Sequence, residues 1–198
     1  MKSKQKNTLT LIVIVVAFLG PIAFSYWLTG QQEVLDAQGN SNYGDLVTPL
    51  RPVDDLKLLD PVANREYQLH GKWNLVYVTD VCEQACMNNL YRMRQIHIAM
   101  DKHSLRVQRV LLMTQAQSAS LMPELNEYAG QRVIVEPGLD KDLLLRKFEI
   151  GNSDSPIEAQ RLYIIDPLGN LMMSYPPDIN PRGIMKDLKK LLKFSRIG

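Results

Sequence analysis

Cys82 and Cys86 are the only thiols in this chain of 198 residues, and they stand four apart. The residues before them, Trp73-Asn74-Leu75-Val76-Tyr77-Val78-Thr79, form a near-continuous apolar run. That is the pattern of a strand buried on both faces of a parallel sheet. From Glu83 to about Met100 the chain lacks Gly and Pro, so a helix follows the strand. Asp80, with Glu83 three residues on, predicts an N-cap and capping box. Thiols at a helix N-terminus feel the positive end of the macrodipole, which favours thiolate. Thiolate is the form that attacks disulfides and binds soft metals. Glu83 opposes this activation, because a nearby carboxylate raises a thiol pKa. On a regular helix the two Cα atoms would lie roughly 6 Å apart, within disulfide range. Parallel Cβ vectors would strain such a bond, so Cys82 is expected at or just before the first turn. Two buried structural cysteines are the alternative.

The elements around this junction decide where the thiols work. Lys2, Lys4 and Lys6 precede an uncharged run, Leu9–Leu28. A helix of that length spans about 30 Å, the thickness of a bilayer core. The division expected is a basic N-terminus over 1–8, a transmembrane signal-anchor over 9–28, a polar tether over 29–42 and a globular domain over 43–198. The lysines should remain cytoplasmic, which sends the domain across the membrane, with Tyr26 and Trp27 at the far interface. A cleaved signal peptide is the rival, with Leu9–Leu19 as its apolar region, a break at Gly20-Pro21 and a small-x-small site at Ala23-Phe24-Ser25. Either way the domain is exported; in a bacterial cell its place is the inner membrane facing the periplasm, where two cysteines read as an oxidisable pair. The net charge of +2, with no basic run carrying interleaved aromatics, gives nucleic-acid binding no support.

Within the domain, Asn42–Pro52 is expected to be extended and docked, and Glu66–Leu69 a short strand, with His70-Gly71-Lys72 the turn into the central strand. Arg106–Met113 reads as a second strand, completing a strand–helix–strand unit. A short helix is expected from Pro123 to Tyr128, a strand over Gln131–Val135, a break at Pro137-Gly138 and a helix over Leu139–Phe148 with Leu143, Leu144 and Phe148 inward. Leu162–Ile165 and Leu171–Tyr175 flank the turn Asp166–Asn170 as a hairpin. Pro181 opens a last helix with Ile184, Leu188, Leu191 and Leu192 on one face and Lys186, Lys189, Lys190 and Lys193 elsewhere.

This order is that of thioredoxin, and the chain resembles the SCO/SenC family of membrane-anchored, thioredoxin-like cytochrome c oxidase assembly proteins. The resemblance is carried by the N-terminal anchor and by Gly71-Lys72-Trp73 leading to Cys82-x-x-x-Cys86. It is also carried by Pro123–Ala129 with the strand and helix after it, and by Leu162-Tyr163-Ile164-Ile165-Asp166-Pro167-Leu168-Gly169. It covers most of Tyr43–Lys193 and implies an α/β, thioredoxin-like fold with a central mixed sheet flanked by helices. It also implies Cys82 and Cys86 as redox residues and as Cu(I) ligands. The chain departs from the family in two places. Glu83 follows the first cysteine, where the family usually has proline. The family's third copper ligand, a histidine, falls at or near Glu158, and no histidine lies close by. The chain has only His70, His97 and His103. His97 is eleven residues past Cys86, roughly 16 Å along a helix, too far to share a metal with both sulfurs.

Three functions remain open on sequence. The first is oxidase assembly through thiol–disulfide exchange or weak Cu(I) handling, with an oxidase subunit or another assembly factor as partner. Here Cys82 attacks and Cys86 resolves. The second is a general periplasmic thiol–disulfide oxidoreductase, for which Pro156 is the residue nearest the proline that thioredoxins place opposite their cysteines. The third is a non-catalytic tethered module with a static disulfide.

Overall fold

Seven consecutive buried residues, Trp73–Thr79, make β4, the strand at the centre of the domain. The computed structural model describes residues 2–29, 42–114, 128–136, 141–151 and 155–197. The chain divides into two compact units, Met1–Ser41 and Asn42–Gly198.

The first unit contains α1, Lys2–Thr29, with Pro21 inside it. Its described side chains are those of 13–27, and Val13, Ile14, Phe18, Ile22 and Trp27 are exposed. Among the described residues no helix is long and apolar enough to cross a membrane. Both ends of the expected span, 9–12 and 28, lie outside the described side chains, as does most of the polar tether.

The second unit is built on one mixed sheet. After β1 (Asp45–Pro52), β2 (Leu58–Asp60), β3 (Arg65–Tyr67) and β4 comes α2 (Gln84–Ala99). A 3-10 segment, Asp101–Arg106, leads into β5 (Val107–Met113), followed by β6 (Gln131–Val135) and α3 (Lys141–Phe148). The short α4 (Pro156–Ala159), β7 (Leu162–Ile165), β8 (Asn170–Tyr175) and α5 (Pro181–Phe194) close the chain. The strand order is β1-β8-β7-β4-β5-β6-β2-β3. β4, β5 and β6 are parallel, and the remaining pairs are antiparallel.

Side-chain alternation sorts the core into two layers. Leu75, Tyr77, Leu111 and Met113 pack with Leu90, Met93 and Ile96 of α2 and with Ile184, Leu188 and Leu192 of α5. Val76, Val78, Val110 and Leu112 pack on the other face with Leu144 and Phe148 of α3. The Phe148 ring meets Tyr163 edge-on at 5.0 Å between centroids.

The stretch expected to be extended and docked on the domain forms the edge strand β1, paired with β8. It is fixed at its start by a buried clasp. Asp187 Oδ2 accepts from the backbone N–H groups of Tyr43 (2.8 Å) and Gly44 (3.1 Å) and from the Tyr175 hydroxyl (3.2 Å). Gly44 sits so close to the Tyr175 ring that a Cβ there would lie 2.7 Å from its Cζ, which requires a glycine. The expected helix at Pro123–Tyr128 and the break at Pro137-Gly138 lie outside the described residues, Tyr128 excepted.

Candidate redox site

The apolar run that makes β4 ends at Thr79, and the chain bends before the helix begins. The Asp80 carboxylate accepts from the Val81 N–H at 2.8 Å, and the Thr79 hydroxyl donates to the Val81 carbonyl at 2.7 Å. Both bonds are local, within the bend. The N-cap is Glu83 and not Asp80, and Glu83 makes no side-chain cap bond. The predicted capping box is therefore absent. The first helical bond runs from Met87 N–H to the Glu83 carbonyl at 3.0 Å.

The bend places Cys82 just ahead of the helix and Cys86 in its first turn. Their sulfurs are joined in a disulfide, with the Cα atoms 5.0 Å apart. The two are not equivalent. Cys86 is 2% exposed and belongs to the core cluster, whereas Cys82 is half-buried and reaches solvent. Of the two, Cys82 is therefore the residue more open to attack from outside. The charges beside it are acidic: Glu83 is exposed and Asp80 half-buried. The helix N-terminus favours the thiolate against them.

The support below the disulfide went unseen in the sequence. Burial pushes the Tyr77 phenol pKa up, against hydrogen bonds with Asn89 and Thr79. Asn89, one turn after Cys86, is itself buried and accepts from Arg92 at 3.2 Å. Arg92 also donates to the carbonyls of Pro177 (2.6 Å) and Ile179 (2.9 Å), fastening α2 to the loop before α5. An Asn and an Arg three apart on a helix read in sequence as ordinary surface polarity.

Glu158 lies in α4 and is exposed. Strand register tells where that helix stands. β7 runs antiparallel to β4 with Leu162 opposite Tyr77, so continuing that register puts residues before 160 past Thr79, at the sheet end that carries Cys82. Pro156 is buried at the first position of α4. Among the described residues the cis peptide bond is Thr48–Pro49, and Ser155–Pro156 is not cis. The histidines are elsewhere. His97 Nε2 lies 3.1 Å from the carbonyls of Ser104 and Val107, and His70 pairs with Asp54 at 2.5 Å. His103 lies in the 3-10 segment. Among the described residues no three His, Cys, Asp or Glu side chains gather as a metal-holding group. Reduced, the pair offers copper two sulfurs, enough for Cu(I) but a poor set for Cu(II).

The family model described as the transmembrane-like, thioredoxin-like, C-terminal domain matches residues 73–195. Curated proteins give no sequence match. The fold is similar to that of apo Sco1 from Thermus thermophilus, with a TM-score of 0.60 at 16% identity over 76% of this chain and 97% of that one. For copper-bound yeast Sco1 the TM-score is 0.59 at 14% identity, over 79% and 96%. The thioredoxin domain of a thiol-disulfide oxidoreductase from Bacteroides vulgatus gives 0.53 at 11% identity, over 73% and 99%. Identities this low speak for the fold alone, which is thioredoxin-like.

Proposed function

The chain belongs to the transmembrane-like, thioredoxin-like C-terminal domain family, and on that premise we propose that it is a membrane-anchored thiol–disulfide exchange protein that assists cytochrome c oxidase assembly. The observation that carries the reading is the asymmetric disulfide, with Cys82 open to solvent and Cys86 buried behind it. In the reduced protein the Cys82 thiolate attacks a disulfide sulfur of the target, and one target thiolate leaves and takes a proton. The Cys86 thiolate then attacks Cys82 sulfur and releases the second target thiol. The target gains two electrons, and the Cys82–Cys86 disulfide is the oxidised product. A thiol reductant outside the chain must restore it.

The resemblance to SCO/SenC proteins supports the oxidase as the destination, and the copper in the yeast relative supports Cu(I) as a second cargo of the reduced pair. The lysines at 2, 4 and 6 and the uncharged run Leu9–Leu28, which falls within α1, support a single bacterial inner-membrane span with the domain in the periplasm. Protease added to spheroplasts should digest the domain alongside a periplasmic control.

Cys86→Ser tests the function, since it leaves the mixed disulfide with the target unresolved. An oxidase subunit or its assembly factor should be captured on Cys82. Capture of many unrelated periplasmic proteins would favour a general oxidoreductase. No capture, together with full oxidase activity in cells carrying Cys82→Ser/Cys86→Ser, would reduce the pair to a staple. A reduction potential below roughly −300 mV would point the same way.

A further inference from the structure

At the opposite end of the parallel strands from the disulfide, a cleft of about 390 Å³ opens against the face that carries α2. Its wall is made where β4, β5 and β6 begin, with Trp73 level with Val107 and Arg109 level with Gln131. A seven-residue strand separates the two ends by roughly 20 Å, so the cleft is not part of the redox site. Its size falls in the range of small-molecule sites, about 300–1,000 Å³.

Lys72, Arg109 and Arg132 line this cleft, and among its described lining residues there is no Asp or Glu. Arg109 is the unusual one. It sits on an inward position of β5 and is 4% exposed. Its Nη2 donates to the Ala129 carbonyl, while Nε and Nη1 have no hydrogen-bond partner among the described residues. The charge facing it from α2 is Arg94, another cation. A guanidinium buried without a counter-charge is unfavourable, and it is tolerated where an anion completes it. Gly130, in the adjoining turn, keeps the mouth open. A Cβ there would stand 3.2 Å from Arg109 Nη2. His97 Nε2 is engaged by the Ser104 and Val107 carbonyls and is not offered to a ligand in the cleft. Arg132, at the start of β6, is half-exposed at the rim, and its Asp60 contact is long, at 3.8 Å.

We infer that this cleft binds a small, multiply charged oxyanion of the phosphate type, held by Arg109 at its base and by Lys72 and Arg132 at its rim. Bidentate guanidinium–oxyanion bonds supply the geometry, and three cations around a concave, partly desolvated opening supply the attraction.

The test uses the full chain in detergent micelles, titrated with sodium phosphate against sodium chloride of equal ionic strength. The wild type should bind phosphate with a Kd below about 1 mM and melt at higher temperature as phosphate rises. Arg109→Met should be at least as stable as the wild type without phosphate, and should lose at least tenfold in affinity. Lys72→Gln/Arg132→Gln, which changes only exposed side chains, should also lose about tenfold and decides the matter if Arg109→Met does not fold. Glycerol phosphate and a soluble short-chain phosphatidic acid separate the sources. Equal affinity means that the phosphate group alone is read, and a preference for the lipid means a headgroup. A wild type that responds to phosphate no more than to chloride overturns the site. So do variants that bind phosphate as the wild type does.

Discussion

Reduction of the Cys82–Cys86 disulfide separates an exchange site from a staple by its effect on stability. The bond closes a ring of only about five residues, because the cysteines are four apart. Chain-entropy arguments give such a ring about 7 cal/mol/K, or about 2 kcal/mol at 25 °C, against about 4.7 kcal/mol for a hundred-residue loop. The packing that holds the junction in place does not depend on the bond. β4 is buried throughout, and α2 is fastened independently through Arg92 to the loop before α5. Adding a phosphine reductant should therefore leave the domain folded and lower its stability by about 2 kcal/mol. For a domain of this size that corresponds to a fall in Tm of roughly 4–8 °C. Guanidinium melts of the full chain, with and without reductant, measure it, and the slope m should not change because the same surface is exposed on unfolding. Loss of the cooperative transition on reduction, or a decrease beyond about 4 kcal/mol, would refute the reasoning and make the bond structural.

Three further outcomes are expected. In the reduced protein, single-cysteine variants should show Cys82 alkylated faster than Cys86 across the pH range, given the burial of Cys86; equal rates remove Cys82 from the attacking role. Glu158→His should create a Cu(II) site with a thiolate-to-copper absorption band, with Ile157→His and Ala159→His as register controls. If none of the three binds Cu(II), α4 does not reach the sulfurs, and if the unaltered protein binds Cu(II) tightly, a third ligand is already present. Burial, and then the charge of Arg109, hold the His97 imidazole below its ordinary pKa. The unfolded chain therefore takes up the proton first, so the stability from neutral His97 is full above about pH 6.5 and is lost as pH falls below it. His97→Gln should flatten the decline in Tm between about pH 7.5 and 5, and parallel curves for variant and wild type would sink the assignment.

Sequence reveals what repetition makes loud. The run Leu75–Val78 could only be a doubly buried strand, and the flanking hairpin and the amphipathic last helix were visible because apolar spacing recurs along each. β2 was missed because Leu58-Leu59-Asp60 is too short to show a period, and α4 because four residues make a single turn. The capping box failed for a local reason. Asp80 accepts from the adjacent Val81 N–H, a local bond of the kind that competes with helix capping, and the N-cap falls three residues later, at Glu83. Arg109 lies in a strand read as alternating and then apolar, and nothing in that pattern says that its guanidinium is buried. That its Nε and Nη1 find no partner among the described residues is a property of the assembled sheet, set by α2 and the turn at Gly130 as much as by β5.

The Asp187 clasp has a consequence in time as well as in space. It joins Tyr43 to a residue 144 positions later in the chain, and β1 pairs with β8, itself near the end. A polypeptide threaded N-terminus first through a translocation channel presents Tyr43 early and Asp187 almost last. Until then the outermost strand has nothing to pair with, and loop closure over so long a span is slow. The domain therefore completes its fold only after nearly all of it has been delivered. Under the export proposed above, Cys82 and Cys86 would be delivered midway and would stand beside an unfinished sheet until β1 and β8 pair.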